Sequence, residues 1–134
     1  MMLIKDYIDK YGDVPFSSKG INNIDYAIFS ALPYLDFHRI IVGKKKITLN
    51  EALSKFVFFA DRKEYIKIGF FQKELYEIVL KMIDKRRYKD LYVSDYVYKL
   101  TDVEQFGALT YHLPNRSKII AFEGTDDNLV SWEE

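Results

Sequence analysis

The spacing of apolar residues changes once along this chain, near residue 90, and that change constrains the fold more than any other feature. Before it, apolar residues recur three and four positions apart, as a helix that buries one stripe requires; after it, β-branched and aromatic residues dominate and the spacing shortens toward two. The chain therefore reads as α/β, with N-terminal helices followed by a short β-sheet or hairpin. Residues 1–90 are expected to be mainly helical and residues 91–134 to hold strands and a Gly-Thr loop, within a single domain, since 134 residues suffice to bury one core.

Four helices are expected. Leu3, Ile4, Tyr7, Ile8 and Tyr11 share a helical stripe that stops at Gly12, with Pro15 beyond it. Ile24, Ala27, Ile28, Ala31, Leu32 and Leu35 form a second stripe with Asn22 or Asn23 as its cap, and Pro33 must kink or end it near Leu32. His38 to Lys46 reads as an irregular or weakly extended connection. Thr48 and Glu51 have capping-box spacing ahead of Leu53, Phe56, Val57 and Ala60. A fourth stripe runs through Leu75, Ile78, Val79, Met82 and Ile83, and the basic residues Lys81, Lys85, Arg86, Arg87 and Lys89 at its end read as a solvated face that complements the helix dipole.

Beyond residue 90, Tyr92 to Tyr98 reads as a short strand, and Phe106 to Leu113 and Lys118 to Phe122 as a hairpin around the turn cluster Pro114-Asn115-Arg116-Ser117. Two strands alone are marginal in water, so the sheet is expected to gain the Tyr92–Tyr98 strand or to continue in residues outside this chain.

Twenty basic and twenty acidic residues cancel, which removes the electrostatic footprint that nucleic-acid binding requires. The absence of cysteine excludes disulfides, thiol nucleophiles and cysteine metal sites and fits a reducing, cytoplasmic setting. No segment has the length of an apolar membrane span. Asp126 and Asp127 lack further oxygen ligands at loop spacing, so neither a metal nor a cofactor is expected.

The segment from Lys118 through Phe122-Glu123-Gly124-Thr125-Asp126-Asp127 to Leu129-Val130-Ser131-Trp132 resembles the strand and following loop of class 3 lipase-like α/β-hydrolases. Its Asp-Asp after Gly-Thr resembles more closely the Mbeg-like branch of that group, a family of unknown function, and Tyr34-Leu35-Asp36-Phe37 matches a segment found in its helical part. The resemblance implies that Thr125 belongs to an oxyanion hole, with Gly124 supplying the backbone turn, and that Trp132 opens a covering or positioning element. The residue chemistry suits that role, because Gly lets the backbone approach a ligand and Thr offers both an N–H and a hydroxyl. A polar loop ending a strand is the plainer reading of the same four residues.

Two departures from the family pattern matter. Glu123 stands where the family commonly has Arg, a charge reversal beside the proposed oxyanion hole. The nucleophile elbow Gly-x-Ser-x-Gly is absent, and His112 lies ahead of the Gly-Thr loop, in the wrong chain order for the catalytic base. The resemblance therefore implies the front portion of a lipase-like serine hydrolase, acting on an ester or lipid, that is inactive without a Ser/Asp/His triad supplied by a missing C-terminal half. The alternative is a non-catalytic interaction or oligomerising domain, a homo-oligomer that completes the sheet between chains being one form of it.

Overall fold

In a computed structural model that describes residues 3–61, 70–100 and 105–124, the helical stripes and the strand alternation meet across one core. The elements in chain order are α1 (Ile4–Tyr11), α2 (Asn23–Ala31), a 3-10 turn over Leu32–Tyr34, β1 (Ile47–Thr48), α3 (Leu49–Asp61), α4 (Phe70–Met82), β2 (Tyr92–Leu100), β3 (Gln105–His112) and β4 (Lys118–Gly124). The described residues are thus helices plus a four-stranded sheet, with one strand fragment inside the region expected to be helical.

Local chemistry sets most of the boundaries. Asn22 caps α2 through its side chain to the Ile24 N–H at 2.9 Å, and Asp25 returns the bond to the Asn22 N–H at 3.1 Å, a reciprocal capping box. Pro33 converts the end of that helix into the 3-10 turn instead of kinking it. The Thr48 hydroxyl accepts from the Glu51 N–H at 3.1 Å and starts α3. The expected 38–46 connection is irregular, yet it buries Ile40 and Ile41.

The sheet runs β1-β2-β3-β4 with every neighbouring pair antiparallel. The Tyr92–Tyr98 segment does supply a third strand, and Ile47–Thr48 adds a fourth that sequence reading missed. Two residues carry no periodicity, so β1 is defined only by its pairing with Val93 and Tyr92. Strand alternation gives the sheet two unlike faces. Val93, Leu109, Tyr111 and Ala121 are buried against the helices, where Phe29 stacks on Tyr111 at 4.4 Å between ring centroids. The opposite row carries Tyr92, Val97, Ile120 and Phe122, each at least 40% exposed. Among the described residues no helix is long and apolar enough to cross a membrane.

The β2–β3 register shifts between Ser94 and Val97. Asp95 adopts a left-handed backbone there, with φ of 56°, and a bulge results. Tyr96 consequently turns into the core, donating its hydroxyl to the Leu35 carbonyl at 2.6 Å and packing edge-on against Phe37.

Candidate functional site

The loop singled out by sequence begins where β4 ends. Gly124 is the last residue of β4 and pairs with Phe106 of β3, and Glu123 occupies the register position opposite Gly107. Strand β4 therefore carries the chain to Gly124 along the outer edge of the sheet. Thr125, the expected oxyanion residue, lies outside the described residues, as do Asp126, Asp127 and Trp132.

Of the polar clusters that the fold assembles, the one nearest in composition to a hydrolase triad is Ser94, Asp95 and His112. Register brings them together: Ser94 pairs with Thr110 and Tyr92 with His112, so Ser94 and His112 lie diagonally on one face, and the bulge turns Asp95 back toward Ser94. Ser94 Oγ lies 2.8 Å from His112 Nε2 and 2.7 Å from Asp95 Oδ2. One hydroxyl proton cannot serve both contacts. A carboxylate only accepts, so the proton goes to Asp95 and His112 Nε2 must be the donor to Ser94 Oγ.

That polarity is the reverse of a nucleophilic serine, which needs an unprotonated imidazole nitrogen to take its proton, with the acid on the far side of the imidazole. Ser94 is also only 1% exposed. The cluster orders the bulge and does not constitute an active site. Burial, followed by Lys46 and Lys118, lowers the His112 pKa, with Asp95 partly opposing them.

A second cluster is buried outright. Arg87 donates to Asp25 through Nε at 3.1 Å and Nη2 at 2.7 Å, and to the carbonyls of Val14, Lys19 and Gly20 at 2.8–2.9 Å. All its donors are used. Asp25 in turn accepts from the hydroxyls of Tyr7 at 3.1 Å and Tyr88 at 2.8 Å and from the Asn22 N–H. Phe16 lies 4.2 Å from the guanidinium carbon, covering it.

Arg87 is therefore not part of a solvated basic face, as its neighbours in sequence led us to expect. It is 2% exposed and ties α2 and the Val14–Gly20 loop to the segment after α4. A saturated network has no lone pair or proton to offer a substrate, so this cluster is structural. The signal was present in sequence: Asp25 sits three and seven positions before Ile28 and Leu32, on the buried stripe of α2. Among the described residues no group of three or more metal-ligating side chains converges.

Residues 82–134 match the family described as Mbeg1-like. No curated protein and no solved structure matches the chain.

Proposed function

We propose that this chain is the front portion of a lipase-like serine hydrolase, with Thr125 after Gly124 contributing to an oxyanion hole. The reading rests on the resemblance of the Lys118-to-Trp132 segment to class 3 lipase-like hydrolases; the Mbeg1-like match over residues 82–134 covers that segment, and Gly124 stands at the end of β4. A donor at that place would meet the negative charge of a tetrahedral acyl intermediate, and loss of one such donor typically raises the barrier by about 2.7–4 kcal/mol. The nucleophile, acid and base would come from residues outside this chain, which has no Gly-x-Ser-x-Gly and whose Ser94 is buried and oriented as a donor to Asp95. An ester or lipid substrate and a cytoplasmic setting belong to the same proposal.

The test is hydrolysis of short-chain p-nitrophenyl esters by the chain alone, by the chain with the polypeptide encoded directly downstream, and by that mixture carrying Thr125→Ala. Activity confined to the mixture, and reduced about 100-fold or more by Thr125→Ala, supports the proposal. A silent mixture rejects it.

A second reading, association through the sheet edge, has one specific observation behind it. Among the described residues β4 is the last strand in the sheet order, seven residues long and without proline, the kind of edge to which another strand can add. Light scattering on the purified chain distinguishes it: a monomer at high concentration removes the argument.

A further inference from the structure

The open face of the sheet segregates charge in a chain that is neutral overall. The basic residues on its paired register positions are His112, Lys118 and Lys99, and no carboxylate occupies those positions among the described residues. Lys46 lies just ahead of β1, and its charge, like that of Lys118, acts on His112. Asp95, the acid nearest this face, is engaged by the Ser94 hydroxyl.

Between these cations the surface is apolar. Val97 is 40% exposed, Phe122 40%, Tyr92 46% and Ile120 52%. Register places Ala108 between Phe122 and Val97 and Thr110 between Ile120 and Ser94, so the large apolar side chains stand beside small central residues. The loop beside this face has the same character: Val42 is 63% exposed and followed by Gly43 and three lysines. A bond from the Asp95 N–H to the Gly43 carbonyl at 2.7 Å pins that loop to the β2 bulge.

We propose that this face docks on an anionic lipid bilayer, with the apolar side chains entering the interfacial region and Lys46 and Lys118 meeting headgroup phosphates. A second copy stacked face to face would set several lysines against several lysines with Asp95, held by the Ser94 hydroxyl, as the acid nearest the face among the described residues, whereas a bilayer requires only apolar depth and negative potential. Exposed aliphatic and aromatic groups flanked by lysines meet both requirements, since lysine stems lie along apolar surface while their ammonium groups reach out to phosphate. The proposal involves neither Thr125 nor catalysis, so it stands or falls separately from the hydrolase reading.

The experiment is sedimentation of the full chain with phosphatidylcholine vesicles and with vesicles enriched in phosphatidylglycerol. The chain is expected to pellet with the anionic vesicles, to remain in solution with the neutral ones, and to be released by high salt. Lys46→Glu with Lys118→Glu should weaken partitioning by about tenfold or more, and Ile120→Ser with Phe122→Ser by a similar factor. All four positions are on the surface, and circular dichroism checks that both variants fold. Absence of binding, equal binding to both vesicles, or wild-type binding by either folded variant overturns the proposal. So does binding to polyglutamate without vesicle binding, which indicates an acidic protein partner. A wild-type dimer that Ile120→Ser with Phe122→Ser dissociates, again without vesicle binding, assigns the face to a second copy.

Discussion

Arg87 and Asp25 stand 62 residues apart in sequence and meet at 2.7 Å with both side chains removed from water. Burial lowers the guanidinium pKa, and the hydrogen bonds and charge of Asp25 more than reverse this, so the net direction is upward. The pair is held by saturation, because every donor of Arg87 and both oxygens of Asp25 have partners.

Removing one member leaves the other buried without its counter-charge, although it keeps its remaining hydrogen bonds. Arg87→Met or Asp25→Asn is expected to cost about 3–5 kcal/mol, read as a lower urea midpoint. Asp25→Leu combined with Arg87→Met should lose less than the sum of Asp25→Leu and Arg87→Met alone, since no orphaned charge remains. It should not restore full stability, because the Val14, Lys19 and Gly20 carbonyls lose their donor. A wild-type midpoint in Arg87→Met would show that the network carries no net stability.

The same core makes a prediction about alkali. Burial is the largest cause raising Tyr7, Tyr88, Tyr96 and Tyr111, and the charge of Asp25 adds to it at Tyr7 and Tyr88. Their folded values lie above the ordinary phenol value of about 10, so the unfolded chain loses these protons first. Stability from these phenols is complete below about pH 10 and falls as the pH rises beyond it. Ultraviolet titration should show these phenols ionising in one cooperative step, coincident with loss of near-ultraviolet circular dichroism. Gradual ionisation of every tyrosine with the fold intact would contradict the burial.

How much of this was legible in sequence depends on the range of the interaction. The α2 cap, narrowed in sequence to Asn22 or Asn23 and found at Asn22, the Thr48 start of α3 and the β3–β4 hairpin depend on neighbours within a few positions and were legible. β1 was not, because two residues carry no period and Ile47 is a strand only through Val93. Arg87 was misread because its basic neighbours describe a surface, while its own environment is set by Asp25 in α2. Ser94 and His112 are 18 residues apart and became neighbours only through the register. The Gly124-Thr125 motif was read as a resemblance; Gly124 ends β4, and Thr125 lies outside the described residues.

Gly107 is placed by a contact that sequence could not reveal. A Cβ there would lie 2.9 Å from the Pro33 carbonyl oxygen and 3.3 Å from the Pro33 Cβ, both within the 3-10 turn that packs on β3. The carbonyl is backbone and has little freedom to withdraw, so Gly107→Ala is expected to cost about 1–3 kcal/mol and lower the melting temperature. Gly20→Ala is the control. A Cβ at that position meets nothing within 4 Å, so the melting temperature should hold or rise slightly. Equal melting temperatures for Gly107→Ala and wild type would mean that the turn and β3 are not in contact.

His112 gives the fold an acid-sensitive element whose direction follows from its surroundings. Burial, Lys46 and Lys118 oppose a positive imidazole, and Asp95 offsets them only in part, so the folded pKa lies below the ordinary value of about 6.5. On acidification the unfolded chain takes up this proton first. The stability associated with neutral His112 is complete above about pH 6.5 and is lost as the pH falls toward the folded value. Urea unfolding at a series of pH values should therefore show a decline below pH about 6.5 that is shallower in His112→Gln, whose amide can still donate to Ser94 Oγ. Lys118→Gln should move the wild-type imidazole titration upward when followed by NMR, because it removes one of the opposing charges. An unchanged slope in His112→Gln together with an imidazole titrating above 6.5 in wild type would place the ring in water, away from both lysines.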